Sequence, residues 1–347
     1  MSDRKATITD VARVAEVSIK TVSRVINNER YVSQELQDRV RKAVAELAFQ
    51  PNMSARSLAG DRSYLICHLY GQPSGAYTMD IQAGLLDRCR DQGYYVLIEG
   101  IDPSSPEIAE RVSALVNQLR PDGVVLTAPV TENQLVLGIL DAAGVPCVGI
   151  TPERETERMS SIRIDEYQAA SKLTQHLLSL GHQRIGFIKG PPSHAATELR
   201  YSGFCAAMGG AKLSVDPTLV ERGKFSYPSA VPCARRLLGR ADRPTAIFAS
   251  NDEMAAAVIA VAHEMGLSPP DDLSIVGFDD TPLAQMVWPA LTTARHPVQE
   301  MGEAAADILF DLMARKRQGG AAGQTPHRVL PFEIIIRQST AAAPATR

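Results

Sequence analysis

Two short stretches near the N-terminus decide how the first domain folds: Thr9-Asp10-Val11-Ala12-Arg13-Val14-Ala15 and Ser18-Ile19-Lys20-Thr21-Val22-Ser23-Arg24-Val25-Ile26. Each begins with a hydroxyl residue that can cap a helix, Thr9 in the first and Ser18 in the second. The apolar residues behind each cap recur at helical spacing, and only Glu16-Val17 separates the two stretches. Two helices joined this tightly must cross steeply over a small shared core, so the sequence predicts a helix-turn-helix.

The second predicted helix keeps a polar face once Val22, Val25 and Ile26 turn inward. Hydroxyl and amide side chains on such a face hold DNA phosphates, while longer cationic side chains reach base edges in the major groove. A helical hairpin with a solvated polar face is the alternative interpretation. The residues that we predict to face DNA are the cap Ser18 and the exposed set Ile19, Lys20, Thr21, Ser23, Arg24 and Asn27.

Two further segments complete the N-terminal region. Ser33 caps a third helix whose apolar stripe runs from Leu36 to Leu47, and Pro51 stops it. The three helices form a helix-turn-helix headpiece over residues 1–50. Residues 51–61 contain a helical piece that is too short to be stable as a free helix in water. We expect this piece to be a hinge that orders only when something holds it.

These N-terminal strings resemble the headpiece and hinge of the lactose-repressor (LacI/GalR) family of bacterial transcription regulators. The strings are Thr7-Ile8-Thr9-Asp10-Val11-Ala12, Val17-Ser18, Thr21-Val22-Ser23-Arg24-Val25-Ile26-Asn27, Val32-Ser33 and Pro51-Asn52 through Leu58-Ala59-Gly60. The resemblance implies a headpiece in the major groove and a hinge helix that folds on the minor groove, with further DNA contacts from Thr7, Asn52 and Ala55. It also implies that Leu58 is wedged into a central base step, as apolar side chains do in many minor-groove complexes.

The composition is that of an ordinary globular protein, with 347 residues, 45% hydrophobic and 22% charged. No apolar run approaches the ~20 residues of a membrane span and no signal-peptide pattern is present, so we expect a cytoplasmic protein without a membrane partner. The net charge of −3 divides into +3 over residues 1–63 and −6 over the rest, which suits a phosphate-binding head on an acidic body. The five cysteines form no C-x-x-C pair, and we expect free thiols, no metal and no cofactor.

From residue 62 the pattern changes to short apolar strands that alternate with amphipathic helices. This alternation predicts an α/β fold with parallel sheets, and a break at Glu153–Ser161 predicts two doubly wound units. The family resemblance extends through Gly181–Ile188, Arg200–Phe204, Pro244–Asp252 and Ser274–Asp280, and it implies a periplasmic-binding-protein-like core over 62–340. We expect its subdomains over 62–161 with 296–325 and over 162–292 with 328–340, a tail over 341–347, and later strands at Val287–Arg295 and Leu330–Ile336.

Several polar side chains lie just past the predicted strand ends, where open α/β sheets bind ligands. Arg200, Asn251 and Asp279 offer a fork of donors, an amide and an acceptor for the hydroxyls of a sugar. Phe225 adds an apolar face on which a pyranose can stack. Each of these residues alone is more often a cap or a surface residue, but their convergence favours a ligand site. The resemblance implies effector-binding residues at Thr127, Thr151, Arg200, Phe225, Asn251, Asp279 and His296, and also at Tyr77 and Ile81.

Catalytic patterns are missing from the sequence. Neighbouring residues at a strand end point to opposite sides, so Asp279 and Asp280 do not form an acid/base pair, and we expect Asp280 to cap the following loop. No P-loop, G-x-S-x-G or H-E-x-x-H motif occurs, which argues against an enzyme. A sugar-binding transport protein would need export and would have no use for the headpiece.

The function that these observations predict is a repressor that binds a palindromic operator as a homodimer, with one headpiece on each half-site. A small carbohydrate in the cleft would release it. The alternative within the same fold is regulation by a purine or another co-repressor.

Overall fold

The computed structural model describes residues 6–26, 32–49, 62–71, 75–319 and 325–344. The chain divides into two compact units, Met1–Tyr64 and Leu65–Arg347. The predicted hinge over 51–61 lies outside the described residues, and so do the predicted DNA contacts Asn27, Asn52, Ala55 and Leu58.

The first unit contains the three predicted helices, α1 (Ile8–Val14), α2 (Ile19–Ile26) and α3 (Gln34–Glu46). Val11, Val22 and Val40, one from each helix, are completely buried at their common contact. The helical spacing of these apolar residues therefore builds one small core, as the sequence predicted.

The helix caps differ from the prediction in one place. Helix α1 begins at Ile8, so Thr7 is its cap and the prediction of Thr9 was wrong. The Thr7 hydroxyl and the Asp10 carboxylate bond each other's backbone amides, which makes Thr7 the better cap because two unpaired N–H groups are satisfied together. The Ser18 hydroxyl accepts from the backbone amide of Thr21 at 3.1 Å, as expected of a cap. Ser33 occupies the cap position of α3 without a side-chain hydrogen bond.

Among the residues that the structure describes, the second unit contains two six-stranded sheets. All neighbours in the first sheet are parallel, in the order β11-β5-β4-β3-β1-β2. Its strands are β1 (Leu65–Tyr70), β2 (Tyr95–Gly100), β3 (Gly123–Thr127), β4 (Cys147–Ile150), β5 (Ser160–Arg163) and β11 (His327–Val329). The helices between its early strands are α4 (Gly75–Asp91), α5 (Ile108–Leu119) and α6 (Gln134–Ala142).

The second sheet has the order β12-β10-β9-β8-β6-β7 and is parallel except for the edge pair β10–β12. Its strands are β6 (Ile185–Lys189), β7 (Val220–Arg222), β8 (Ala246–Ala249), β9 (Ser274–Asp279), β10 (Thr292–Arg295) and β12 (Glu333–Ile335). Its helices are α7 (Glu166–Ser179), α8 (Ala195–Gly210), α9 (Tyr227–Leu238), α10 (Asp252–Glu264) and the short α11 (Leu283–Met286).

The chain passes between the sheets three times, after β5, after β10 and after β11. After β10 it forms helix α12 (Val298–Arg317), which packs against α4 of the first subdomain. The two helices approach closely at glycines: a Cβ on Gly84 would meet the Gln299 carbonyl oxygen, and one on Gly302 would meet that of Ile81. The expected subdomain boundary near 328 falls within β11, which pairs with the first sheet.

One strand was not predicted, and two predicted strands are shorter than expected. The predicted break at Glu153–Ser161 ends in β5, which the sequence hides because its buried residues include Ser160 and Ser161. The strand predicted over Val287–Arg295 begins only at Thr292, since α11 and a loop precede it. Of the strand predicted over Leu330–Ile336, only Glu333–Ile335 form a strand, β12, and the residues before it connect it to β11 in the other sheet.

Candidate functional site

The predicted DNA-facing side of α2 is solvent-accessible. Ser18, Ile19, Lys20 and Arg24 are exposed, and Thr21 and Ser23 are half-buried, whereas Val22 and Val25 are buried. The Ser18 and Thr21 hydroxyls lie 2.9 Å apart and hydrogen-bond each other. One of the two hydroxyls donates in this bond, so the other keeps its O–H for donation to a phosphate. The arrangement is a helix with an anchored inner face and a polar outer face.

A second candidate site is the cleft where both subdomains of the second unit contribute residues. The first subdomain supplies Tyr77 and Thr151, whose hydroxyls lie 3.3 Å apart, and the second supplies the charged groups. The cleft has a volume of about 50 Å³, which is room for a few water molecules. The cleft is lined by Tyr77, Ala128, Thr151, Glu166, His194, Ala196, Arg200, Phe225, Asn251 and Asp279.

Arg200 is the centre of the cleft, and almost all of its hydrogen-bonding capacity is already used. Its Nε donates to Glu166 Oε2 at 2.7 Å, and its Nη2 donates to Glu166 Oε1 at 3.3 Å and to Asp279 Oδ1 at 3.4 Å. Its Nη1 donates to the Ser250 carbonyl oxygen. Burial alone lowers the pKa of Arg200, but the charges of Glu166 and Asp279 outweigh that effect and raise it. The guanidinium is thus a fixed cation with two carboxylates.

Two other predicted residues are also held by the protein itself. The Asn251 amide caps helix α10, because its Oδ1 accepts from the Met254 backbone amide at 3.0 Å. Its Nδ2 donates to the Phe225 carbonyl oxygen at 3.0 Å. The Phe225 ring lies where a Cβ on residue 190 would stand, which explains the glycine at that position. Asn251 therefore fixes the loop that presents the Phe225 ring to the cleft.

Strained backbone marks three of the cleft residues. Thr151, Phe225 and Asp279 have φ angles of 52°, 56° and 106°, in the region that non-glycine residues rarely adopt. Such conformations persist where the surrounding structure over-determines them, and they concentrate at binding sites. The strain supports a functional role for this cleft beyond the simple presence of polar groups.

Three residues implied by the resemblance do not line this cleft. Thr127 ends β3 beside Ala128, with a buried hydroxyl that finds no hydrogen-bond partner in the described part of the chain. Ile81 is completely buried where α4 packs on α12. His296 lies behind Tyr77, with ring centres 5.4 Å apart, and its Nδ1 is 3.6 Å from Asp279 Oδ1.

His296 and Asp279 instead border a second, outer cavity on the other side of Asp279. That cavity has a volume of about 420 Å³. Its wall includes Asp80 and Glu300 from the first subdomain and Arg295 from the second. Asp279 is thus the residue that the inner cleft and the outer cavity share.

Sequence reasoning missed Glu166 and His194. Glu166 follows β5, so the rule that ligands bind beyond strand ends would have found it had that strand been recognised. His194 follows β6 in the same way. Burial and then the charge of Arg200 lower the pKa of His194 to about 4, which keeps its ring neutral near pH 7. The prediction that Asp280 caps the following loop was wrong, because its carboxylate pairs with Arg295 at 2.9 Å and with Arg337 at 2.6 Å.

Buried Asp252 directly follows the cleft residue Asn251. Its carboxylate accepts from the Thr281 amide at 2.7 Å and from the Thr293 hydroxyl at 2.7 Å, and so joins the loop after β9 to β10. Burial and the neighbouring charge of Asp279 raise the pKa of Asp252 to about 8. The pKa of Asp252 therefore depends on the charge of the cleft residue Asp279.

Other kinds of site find little support in the described residues. Over those residues, no three His, Cys, Asp or Glu side chains are placed to hold a metal ion. Within the same ranges, no helix combines the length and apolarity that a membrane crossing requires. The five cysteines are free thiols.

The fold and the two candidate sites define a class of protein: a DNA-binding regulator whose second part is a ligand-binding domain. Residues 7–52 match the bacterial regulatory proteins of the lacI family, and residues 174–340 match the periplasmic binding protein-like domain. The chain is 34% identical over 343 residues to the HTH-type transcriptional regulator DegA of Bacillus subtilis (strain 168), covering 97% of this chain and 98% of DegA. It is 32% identical over 337 residues to the HTH-type transcriptional repressor PurR of Haemophilus influenzae (strain PittEE), covering 96% and 98%.

Solved structures agree with this class. The Lac repressor dimer bound to operator and the anti-inducer ONPF superposes with a TM-score of 0.78 at 29% identity, covering 98% of this chain and 100% of that one. The complex of the transcriptional regulator CelR with cellobiose superposes with a TM-score of 0.73 at 29% identity, covering 96% and 99%. The chain therefore belongs to the lacI family of bacterial regulatory proteins. It is a DNA-binding transcription regulator and not an enzyme.

Proposed function

We propose that the chain binds a two-fold symmetric operator as a homodimer and that a small carbohydrate in the cleft sets its affinity for DNA. The observation that carries the proposal is the make-up of the cleft. Tyr77 and Thr151 come from the first subdomain, and Arg200, Phe225 and Asp279 from the second. A ligand that contacts both sets favours one relative orientation of the subdomains. It then changes DNA affinity by the difference between its affinities for the two orientations.

The cleft suits a sugar for chemical reasons. Phe225 offers a ring face, and Asp279 offers a carboxylate whose second oxygen makes no hydrogen bond within the described residues. CelR, which superposes over nearly the whole chain, was solved with cellobiose. The alternative effector is a purine, which the same ring could stack. We also infer that the protein acts in the cytoplasm, where a transcription regulator meets its DNA.

A thermal-shift screen of monosaccharides, disaccharides, glycosides and purines tests this proposal. A specific ligand at about 100 times its dissociation constant stabilises the folded state by about 2.7 kcal/mol, which raises the melting temperature measurably. The Phe225→Ala variant should lose the shift, because the stacking face is gone. A ligand that shifts the variant and the wild type equally would place the effector site elsewhere.

Two exposed apolar regions of the second unit support a dimer. Met286 and Trp288 keep 78% and 76% of their surface exposed, which is unusual for side chains of this size in a soluble monomer. Strand β2 is an edge strand with exposed Tyr95 and Ile98, and an open sheet edge invites pairing with a second copy. Analytical ultracentrifugation should find a dimer for the wild type and a monomer for the double variant Met286→Glu/Trp288→Glu.

For the headpiece, we propose that Lys20 and Arg24 read bases while Ser18, Thr21 and Ser23 hold phosphates, with Thr7 and Ile19 at the same interface. The hinge residues Asn52, Ala55 and Leu58 would contact the minor groove. Replacing Leu58 by Ala should reduce DNA bending, measured by fluorescence resonance energy transfer between the duplex ends, and leave ligand affinity unchanged. Unaltered bending would remove the wedge assignment.

A further inference from the structure

The walls of the cleft carry more negative than positive charge. Among the described residues that line the inner cleft, Arg200 is the cation, and it faces two buried carboxylates, Glu166 and Asp279. Glu166 has two hydrogen bonds from Arg200, whereas Asp279 has one long bond of 3.4 Å. One arginine cannot neutralise both carboxylates. The uncompensated charge therefore lies on the Asp279 side of the cleft.

The outer cavity adds to this imbalance. Its cation Arg295 is committed to Asp280 at 2.9 Å and to Glu333 at 3.0 Å. Asp80 and Glu300, on the facing wall, make no ion pair within the described ranges. A cavity lined in this way attracts cations and repels anions before any contact forms.

Two histidines that line these spaces have buried ring nitrogens without hydrogen-bond partners in the described part of the chain. The described residues offer no hydrogen-bond partner to either ring nitrogen of His296, which lines the outer cavity, or to Nε2 of His194, which lines the cleft. Buried groups of this kind normally find a partner, since each one left unsatisfied costs roughly 1–3 kcal/mol. A ligand with several hydroxyl groups would supply the partners.

Building on the proposed function, we propose that the effector is an aminated sugar whose ammonium group is received by Asp279. Its hydroxyl groups complete the hydrogen bonding of His194, and its ring face lies on Phe225. Phosphorylated sugars and sugar acids are excluded, because they would add a negative charge beside Glu166 and Asp279.

Matched sets of compounds test this inference on the full chain by isothermal titration at about pH 6.5, where an amine of this class keeps its proton. Each set contains a hexose, the corresponding 2-amino hexose, its N-acetyl derivative and the hexose 6-phosphate, for the gluco, galacto and manno series. In one series the amino sugar should bind about tenfold more tightly than the hexose and its N-acetyl derivative, a difference typical of one charge-assisted hydrogen bond. The phosphate should not bind.

Charge-removing variants locate the effect. Glu166→Gln keeps the shape of the side chain and removes one negative charge, and it should abolish the preference for the amino sugar. Asp80→Asn should weaken that preference without a folding cost, because Asp80 lies on the rim. Glu264→Gln is the control: its carboxylate pairs with Arg235 at 2.9 Å on the surface, far from this chemistry, and its preference should equal that of the wild type.

A neutral hexose or a purine that binds as tightly as the amino sugars, or a sugar phosphate that binds best, would overturn the amine assignment and leave the proposed function standing. If no sugar or purine of the panel binds, both the amine assignment and the proposed effector fail.

Discussion

The second helix of the headpiece and the ligand cleft each contain an arginine, and the two arginines differ in burial and in their partners. Arg24 is exposed on α2, whereas Arg200 keeps only 4% of its surface and is surrounded by Glu166, Asp279 and the Ser250 carbonyl. An exposed cation attracts any phosphate, and salt screens it within about 10 Å at 0.1 M. A buried cation held by fixed partners is part of a rigid template that only a complementary ligand fits.

This difference assigns DNA attraction to the headpiece and ligand discrimination to the cleft. Non-specific attraction and salt dependence belong to the headpiece, where counterions are released when Lys and Arg reach the phosphates. Chemical discrimination belongs to the cleft, where an unsatisfied charge cannot be rescued by water. Substitutions in the two regions should therefore change stability or binding free energy by different amounts.

Loss of Arg200 should have the largest effect on stability. Arg200→Ala leaves Glu166 and Asp279 buried without their cation, so the free energy of unfolding should fall by about 3–5 kcal/mol. Arg235→Ala breaks the exposed pair with Glu264 and should cost less than about 1 kcal/mol. Urea denaturation measures both. Equal losses would mean that burial does not separate the two kinds of arginine.

His68 tests burial without pairing. It is completely buried in β1, neither ring nitrogen has a partner among the described residues, and burial lowers its pKa to about 4. The folded state resists protonation, so stability is present above the ordinary pKa of 6.5 and is lost as pH falls toward 4, by up to about 3 kcal/mol. His68→Leu should flatten this part of the stability–pH curve, and replacement of the exposed His263 should not.

Arg24 tests the solvated side of the comparison. Arg24→Ala should cost about 1–3 kcal/mol on the cognate operator and relax the preference at one base position. Fluorescence anisotropy with cognate and random duplexes measures the two terms separately. If binding to both duplexes fell by the same factor, Arg24 would contact phosphate and not a base.

The smallest predicted effect concerns the cap of α1. Thr7→Ala removes the capping box with Asp10 and should lower the stability of the headpiece by about 1 kcal/mol. Thr9→Ala, at an exposed position inside the helix, should change it little. Hydrogen exchange of the α1 amides distinguishes the two variants, and the reverse order would restore Thr9 as the cap.

Local patterns were sufficient to predict most of the architecture. The spacing of Val11, Val22 and Val40 determines the headpiece, and apolar runs such as Gly123–Thr127 are buried parallel strands. Strand β5 escaped prediction because half of its residues are serines, whose burial depends on neighbours that are distant in sequence. The cap of α1 was misplaced because two threonines lie two positions apart and only the partner Asp10 decides between them.

The cleft was predictable only in part. Strand ends indicated Arg200, Asn251 and Asp279, since the fold brings such ends together. Their mutual use could not be read from the sequence. Glu166 is 34 residues from Arg200, and no local pattern indicates that its carboxylate accepts hydrogen bonds from the guanidinium. Nor does a local pattern indicate that the Asn251 amide donates to the Phe225 carbonyl oxygen.

A single titration tests directly whether the cleft controls DNA binding by the headpiece. A duplex selected from a random-sequence pool by the full-length protein is titrated with and without a saturating ligand from the thermal-shift screen. We expect the ligand to change operator affinity by about 5–150-fold and to leave the affinity for random DNA unchanged. Phe225→Ala should abolish the response while keeping ligand-free operator binding. Equal operator affinity with and without a ligand that demonstrably binds the wild type would contradict the claim that the cleft controls the headpiece.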